Sequence, residues 1–152
     1  MPIRYEVVDV LEDRRPLFHC VSQDLAMKEG LARQVRDQIG GVDLIRNQGP
    51  SVGKAIPVKA SGRLVFHLIS KVKYHHKPSI LSLKSCLLDL RDKLIENDIY
   101  LIKAPKYVAS GRDKLPWRSV LEVVDEVLTQ SGIQVVLCAL PNTPQGNLLR
   151  RS

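Results

Sequence analysis

Acidic residues are missing from a long segment of this 152-residue chain. Between Leu44 and Leu88 there is no aspartate or glutamate, although the chain as a whole contains 16 of them. The same segment carries lysines and arginines throughout, and the net charge of the chain is +7. A segment of one sign creates a positive face or cleft, which favours an anionic partner or substrate. A solvated basic surface and a nucleic-acid-binding face are the alternatives.

Aromatic residues and cysteines are also scarce. Aromatics make up 5% of the chain against 44% for all hydrophobic residues, which predicts an aliphatic core. The three cysteines, Cys20, Cys86 and Cys138, are odd in number and far apart. This spacing does not match a disulfide framework or a metal site, and it favours buried thiols in a reducing compartment.

The sequence contains no apolar run long enough to span a bilayer and no signal peptide. We therefore expect an intracellular protein, cytoplasmic or nuclear, with no membrane partner. The length predicts one domain, and we expect a monomer because a domain of this size can bury its own core.

Strand and helix patterns alternate through most of the chain. Strands are predicted at residues 3–9, 17–21, 54–59, 63–70, 99–102 and 134–140, and helices at 27–39, 80–95 and 118–128, with a short helical turn at 42–48. This alternation predicts a three-layer α/β/α domain with a mixed, largely parallel central sheet over residues 1–140. The remainder, 141–152, is predicted to be a flexible, basic tail.

The loop at 108–117 lies between a predicted strand and a predicted helix. Ligands of open α/β sheets bind outside the carboxyl ends of the strands, which is where this loop would lie. Ala109, Ser110 and Gly111 are small enough for a ligand to approach the backbone, and amides before a helix suit a phosphate. Asp113 is the one carboxylate in the loop. The alternative is a plain connection with a turn glycine.

Lys71 follows the most apolar of the predicted strands, 64–69. Taken alone it could be a surface lysine. However, Lys71 and Asp113 both follow strands that we predict to be parallel, so one cleft could hold both. A lysine amine can attack a sugar carbon, and a neighbouring carboxylate can serve as its acid–base partner.

Other motifs are weaker. The segment 49–55 looks like a phosphate loop, but it has three residues between its glycines where the nucleotide motif has four. His75 and His76 are predicted to lie at the surface, and His19 and His67 to be structural. No histidine or cysteine group has metal-ligand spacing, so neither a metal nor a cofactor is expected.

Five motifs, taken in order, resemble the macro domain family. They are VDVL at 8–11, HCVSQD at 19–24, AMKEGLA at 26–32, LISK at 68–71 with HKP at 76–78, and SGRDKLPW at 110–117. The branch that they resemble is the terminal ADP-ribose protein glycohydrolase, which also deacylates O-acyl-ADP-ribose. The resemblance extends over nearly the whole chain.

The resemblance implies a cleft for ADP-ribose. Asp9 would hold the adenine amino group, the loop from Ser22 to Gly30 would line the distal ribose, and the loop that begins at Ala109 would wrap the diphosphate. Lys71 would attack the anomeric carbon of the distal ribose, and Asp113 would free the adduct. The full set of implied ligand-binding residues is Asp9, Val10, Ser22, Asp24, Met27, Gly30, Leu31, Ala109, Ser110, Gly111 and Arg112.

Two segments depart from the family pattern. Lys28-Glu29-Gly30 stands where Gly-small-Gly is usual, and the phosphate loop has Ala109 and Ser110 where Gly and Cys are common. The large side chains of Lys28 and Glu29 could narrow the distal-ribose site or point outward. The two residues of the phosphate loop are small, so ADP-ribose binding is expected to survive.

The resemblance predicts a hydrolase that removes ADP-ribose from acidic protein side chains and deacylates O-acyl-ADP-ribose. ADP-ribose, ADP-ribosylated proteins and poly(ADP-ribose) are the predicted partners. The alternatives are a non-catalytic ADP-ribose reader and a phosphatase acting on ADP-ribose 1″-phosphate. A nucleic-acid-binding domain that uses the basic segment is the next choice.

Overall fold

The computed structural model describes residues 3–109 and 113–141, which contain six strands and four helices. In chain order these elements are β1 (Arg4–Val7), β2 (Leu17–Ser22), α1 (Gly30–Gln38), α2 (Val42–Arg46), β3 (Ala55–Ala60), β4 (Arg63–Lys71), α3 (Ile80–Glu96), β5 (Leu101–Pro105), α4 (Trp117–Val127) and β6 (Gln134–Ala139). The predicted tail at 142–152 lies outside the described residues. None of the helices in the described part is long and apolar enough to cross a membrane.

The six strands form one sheet in the order β1-β6-β5-β2-β4-β3. Every neighbouring pair is parallel except the hairpin of β3 and β4, which is antiparallel. β2 and β5 lie in the middle of the sheet, and β4 lies beside β2. The prediction of a mixed, largely parallel sheet is therefore confirmed.

The two faces of the sheet are covered by different helices. One face packs against α3 and α4, and its core contains Phe18 and Phe66 from the sheet with Leu87 and Val124 from the helices. The other face packs against α1 and α2. Residues that alternate along β2 and β4 contribute to the two cores in turn, because successive side chains of a strand point to opposite faces. The result is the predicted three-layer arrangement.

The packing of α3 on the sheet gives a direct stability prediction. Leu87 of α3 is completely buried, whereas Leu81 on the same helix is 77% exposed. Leu87→Ala should lower the free energy of unfolding by about 2–5 kcal/mol, because it removes buried methyl groups and leaves a cavity. Leu81→Ala should change it by less than about 0.5 kcal/mol. Urea unfolding of both variants measures the difference, and equal effects would contradict this position of α3.

Two elements have a boundary that differs from the prediction by three residues. The helix predicted from residue 27 begins at Gly30, because Leu25 and Met27 have φ values of 54° and 44°, which lie in the left-handed region. The strand predicted at 99–102 runs instead from Leu101 to Pro105. The amide of Ile99 still bonds the carbonyl of Leu94 at 2.9 Å, so the end of α3 occupies the start of the predicted strand.

Candidate active site

The carboxyl ends of β2, β4 and β5 meet at one edge of the sheet, where α1 begins. Ser22 is the last residue of β2, Lys71 is the last of β4, and Pro105 is the last of β5. The register between β2 and β4 shifts at Ser22, which pairs directly with Lys71. Because these strands are parallel, residues that are far apart in sequence gather at this edge.

Lys71 and Asp113 are in direct contact at this edge. The Nζ atom of Lys71 donates a hydrogen bond to Oδ1 of Asp113 at 2.7 Å. Their side chains are 15% and 14% exposed, so the ion pair is shielded from most of the solvent but remains accessible from one side. The predicted meeting of these two side chains in one cleft is what the structure shows.

Two cavities adjoin at this edge of the sheet. The first has a volume of about 450 Å³ and contains Lys71 and Asp113 in its wall. The second, of about 660 Å³, lies toward the ends of β5 and β6. They share a dividing wall, which consists of Gly30, Leu31, Pro105 and Tyr107. An extended ligand could therefore occupy both cavities by crossing this wall.

Most of the implied binding residues line these cavities. The first cavity is lined by Ser22, Met27, Gly30, Leu31 and Ala109. Asp9 and Val10 line the second cavity. Ser110, Gly111 and Arg112 lie outside the described residues.

Asp24 is the exception among the implied binding residues, because it lines neither cavity. Its carboxylate accepts hydrogen bonds from the Ser22 hydroxyl at 2.6 Å and from the backbone amides of Ala26 and Tyr74, each at 3.1 Å. Desolvation would raise the pKa of Asp24, but these hydrogen bonds outweigh it and the pKa is lowered. Asp24 thus joins the loop after β2 to the loop after β4, and its implied role in binding ADP-ribose stays a prediction.

Asp9 is held in place by its own backbone surroundings. One of its carboxylate oxygens accepts a hydrogen bond from the Leu11 amide at 2.9 Å, and Asp9 caps a 3₁₀ turn at Val10–Glu12. A carboxylate fixed in this way at the edge of a cavity can accept a hydrogen bond from a ligand amino group.

Two buried cations anchor the segment that carries Asp9 and Val10. Arg63, which is 4% exposed, donates a short hydrogen bond to the Val10 carbonyl. Lys103, also 4% exposed, is paired with Glu6 and Asp13. Burial would lower the pKa of Lys103, but its two carboxylate partners outweigh burial and raise it. Hydrogen bonds from these two buried cations therefore hold the wall of the second cavity in place.

The chain was compared with known families, curated proteins and solved structures, and no family model matches it. Two curated relatives, ADP-ribose glycohydrolase OARD1 of Bos taurus and of Homo sapiens, are each 29% identical to it over 124 residues. These residues are 82% of this chain and 81% of each relative.

Solved macrodomains share the fold over nearly the whole chain. The macrodomain of Thermus aquaticus DarG has a TM-score of 0.77 at 21% identity, and the alignment covers 91% of this chain and 98% of that one. The macrodomain of Mycobacterium tuberculosis DarG has a TM-score of 0.79 at 18% identity, covering 93% and 99%. This chain therefore has the macro domain fold.

A third structure, Thermosipho africanus DarTG in complex with ADP-ribose, matches the macro domain with a TM-score of 0.74 at 20% identity. The alignment covers 95% of this chain and 44% of the longer DarTG chain. The resemblance inferred from the five sequence motifs is thus confirmed at the level of the fold and of the sequence relatives.

Tyr107 is a cavity residue that the sequence did not reveal. It lines both cavities of the macro domain, and its ring packs edge-on against Trp117 with 5.0 Å between ring centroids. The Nζ atom of Lys106 lies 5.0 Å from the centre of the Tyr107 ring. Its position just after Pro105, at the carboxyl end of a parallel strand, is the signal that could have identified it.

Two cysteines of the macro domain, Cys86 and Cys138, are buried as predicted, and Cys20 is half-buried beside the first cavity. Burial raises the pKa of the Cys20 thiol well above its usual value, and the negative charge of Asp113 adds to this effect. Cys20 is therefore a neutral thiol and a poor nucleophile at neutral pH. Among the described residues, no group of three or more potential ligands is arranged to hold a metal ion.

His19 and His67, predicted to be structural, form a buried pair on neighbouring strands. Nε2 of His19 lies 2.8 Å from Nδ1 of His67, and both side chains are at most 2% exposed. Desolvation lowers the pKa of His19 to about 4 and that of His67 well below its usual value. Both imidazoles are therefore neutral in the folded macro domain at physiological pH.

The neutral histidine pair predicts a loss of stability in mild acid. The unfolded chain binds the proton at His19 near pH 6.5, whereas the folded chain does so only near pH 4. The free energy of unfolding is therefore highest above about pH 6.5 and falls as the pH drops toward 4. His19 accounts for a decrease on the order of 3 kcal/mol. Urea unfolding across this range measures the slope. His19→Phe should reduce the slope, to which His67 still contributes, and the exposed control His75→Gln should leave it as it is. An unchanged slope in His19→Phe would contradict the prediction.

Proposed function

We propose that this macro domain binds ADP-ribose and hydrolyses its bond to the carboxylate of a protein glutamate or aspartate, and that it also deacylates O-acyl-ADP-ribose. The observation that carries the proposal is the contact between Lys71 and Asp113 inside a cavity that adjoins a second one. The name of the OARD1 relatives, ADP-ribose glycohydrolase, supports the same activity.

The two cavities suit the two halves of ADP-ribose. The second cavity, with the fixed carboxylate of Asp9, takes adenine and its ribose. The first cavity takes the distal ribose, with its C1″ atom facing Lys71. The diphosphate crosses the dividing wall near Gly30 and Ala109, where small side chains leave the backbone open to an anion. The two cavity volumes lie within the range that is typical of small-ligand sites.

In the first step, Asp113 accepts a proton from the Lys71 ammonium, which gives a neutral amine. The amine nitrogen attacks C1″ of the distal ribose and forms a C–N bond. The C1″–O bond to the acyl group breaks with its electron pair going to the departing oxygen, and Asp113 gives its proton to that oxygen, so that Asp113 is again ionised before the second step. Lysine is a suitable nucleophile because an amine is reactive once a base removes its proton.

In the second step, water replaces the lysine. Asp113 removes a proton from the water as its oxygen attacks C1″, and the C–N bond breaks with its electron pair returning to Nζ of Lys71. The nitrogen takes up a proton, ADP-ribose leaves, and the ion pair at 2.7 Å is restored. One carboxylate thus serves as acid and base for both halves of the reaction.

The unusual residues Lys28 and Glu29 are compatible with this placement. Both are exposed and lie in the wall of the first cavity, at the start of α1. The Nζ atom of Lys28 lies 4.6 Å from the centre of the exposed Tyr74 ring. This arrangement supports turnover over a role as a reader that only binds ADP-ribose.

The test is to incubate the macro domain with a glutamate-ADP-ribosylated protein and with O-acetyl-ADP-ribose, and to measure free ADP-ribose by liquid chromatography. Calorimetry on the same preparation measures ADP-ribose binding. Release from both substrates is expected. Binding without release would make the protein a reader, and turnover of ADP-ribose 1″-phosphate alone would make it a phosphatase.

A further inference from the structure

The mouth of the first cavity is framed by two short segments, which we call the mouth rim. One segment is Lys28-Glu29, just before α1, and the other is Tyr74-His75-His76, between β4 and α3. All five residues are exposed. The Lys71–Asp113 pair lies deeper, so a group attached to C1″ must leave the cavity past this rim.

Specific contacts hold the two segments of the rim together. Nζ of Lys28 lies 4.6 Å from the centre of the Tyr74 ring, at a distance typical of a cation–π interaction. The Tyr74 amide donates a hydrogen bond to Asp24 at 3.1 Å, and the rings of Tyr74, His75 and His76 follow one another edge to face. The rim is thus a formed surface, and the Lys28 ammonium is fixed beside the mouth.

The charge at the rim is predominantly positive. Lys73 and Lys77 flank the aromatic part of the rim and are both exposed. They belong to the segment from Leu44 to Leu88 that contains no aspartate or glutamate. Glu29 is the one carboxylate among the rim residues, and it stands next to Lys28. A substrate peptide that extends out of the cavity would therefore lie beside lysine side chains of the loop between β4 and α3.

We infer that the mouth rim and its flanking lysines bind the peptide that surrounds the modified glutamate, and that they favour a peptide rich in aspartate and glutamate. This inference rests on the proposed hydrolase activity and adds the class of protein substrate to it. Exposed charge pairs contribute little individually, but complementary charges around a docking surface raise the association rate and select the partner. The rim is continuous with the cavity, so the peptide would be held while its modified side chain reaches Lys71.

The experiment compares three substrates of the same macro domain. Two are synthetic peptides with one ADP-ribosylated glutamate, flanked either by aspartate and glutamate or by serine and glycine. The third is O-acetyl-ADP-ribose, which has no peptide to contact the rim. For each peptide, kcat/KM is divided by the value for O-acetyl-ADP-ribose, so effects on the shared chemistry cancel.

We expect the acidic peptide to exceed the neutral one roughly ten-fold, and Lys73→Glu to reduce this preference to about two-fold or less. Lys59→Glu is the matched control, because Lys59 is an equally exposed lysine that pairs with Leu64, at the other end of β4 from Lys71. It should keep the preference of the wild type. Increasing salt should weaken the preference in the wild type.

The outcomes separate this inference from the proposed function. If none of the three substrates is hydrolysed, the proposed function fails. If all three substrates are hydrolysed and the two peptides react equally, the inference is overturned and the hydrolase activity stands. The same conclusion follows if Lys59→Glu reduces the preference for the acidic peptide as much as Lys73→Glu does. An unmodified oligonucleotide of equal charge that inhibits peptide hydrolysis more strongly than an unmodified acidic peptide would assign the rim to nucleic acid instead.

Discussion

Lys71→Ala should abolish the release of ADP-ribose from a glutamate-modified protein while ADP-ribose binding persists. Because the amine of Lys71 is the proposed nucleophile, kcat should fall at least about 10³-fold, which corresponds to about 4 kcal/mol of transition-state stabilisation. The lysine lies at the end of a strand, and its removal leaves the two cavities in place. Single-turnover release assays measure the rate, and calorimetry measures the affinity for ADP-ribose.

The matched control for this prediction is Lys84→Ala. Lys84 has a side chain that is 38% exposed, pairs with Glu126 at 3.0 Å and lines neither cavity. It should leave the rate of release within about two-fold of the wild type. If Lys71→Ala retains most of the activity while Lys84→Ala behaves as expected, Lys71 is not the nucleophile, and another group must attack C1″.

Asp113→Asn should lower the rate of ADP-ribose release by about 10²–10⁴-fold. It should also cause a covalent intermediate to accumulate. Asparagine still offers an oxygen to the Lys71 ammonium, but it cannot take a proton from the amine or from water. Solvent can still take the proton of the Lys71 ammonium before the first step, whereas the second step depends on Asp113 to remove a proton from water, so the C–N adduct on Lys71 should accumulate. Mass spectrometry of the intact protein should show a mass increase of one ADP-ribose unit, which peptide mapping places on Lys71.

Asp113→Asn can be compared directly with Asp125→Asn, which removes a carboxylate of α4 outside both cavities. Asp125→Asn should release ADP-ribose at the wild-type rate without an adduct. Full activity in Asp113→Asn would remove Asp113 from the mechanism. An adduct on a residue other than Lys71 would assign the nucleophile elsewhere while keeping the role of the carboxylate.

The layers of the fold could be predicted from the sequence, because long segments with a regular hydrophobic period indicate which helices and strands form. The helix from Ile80 to Glu96 repeats leucine along one stripe, and its predicted extent, 80–95, differs by one residue. The antiparallel pair of β3 and β4 follows from the turn at Ala60-Ser61-Gly62, where both Ser61 and Gly62 have positive φ. Such features are local, so the sequence expresses them directly.

The limits of the prediction lie where tertiary contacts override local preference. Met27 was assigned to a helix by its apolar spacing, but it is buried in a left-handed conformation that the surrounding core imposes. The hydrogen bond from the Tyr74 amide to the Asp24 carboxylate joins residues that are about 50 positions apart, so no local pattern predicts it. The contact of Lys71 with Asp113 could be predicted because both residues follow parallel strands. The cation–π contact between Lys28 and Tyr74 joins two loops and could not be predicted in this way.

The dividing wall shared by the two cavities has a consequence for how the free energy of binding is used. The bond that breaks lies at one end of the ligand, whereas Asp9 and the second cavity hold the other end, which does not react. Contacts with that remote end can align C1″ with Lys71 only while the two halves of the ligand are covalently joined. An acylated ribose 5-phosphate that lacks the adenosine half should therefore lose turnover number as well as affinity. Adding AMP to occupy the second cavity separately should not restore the rate.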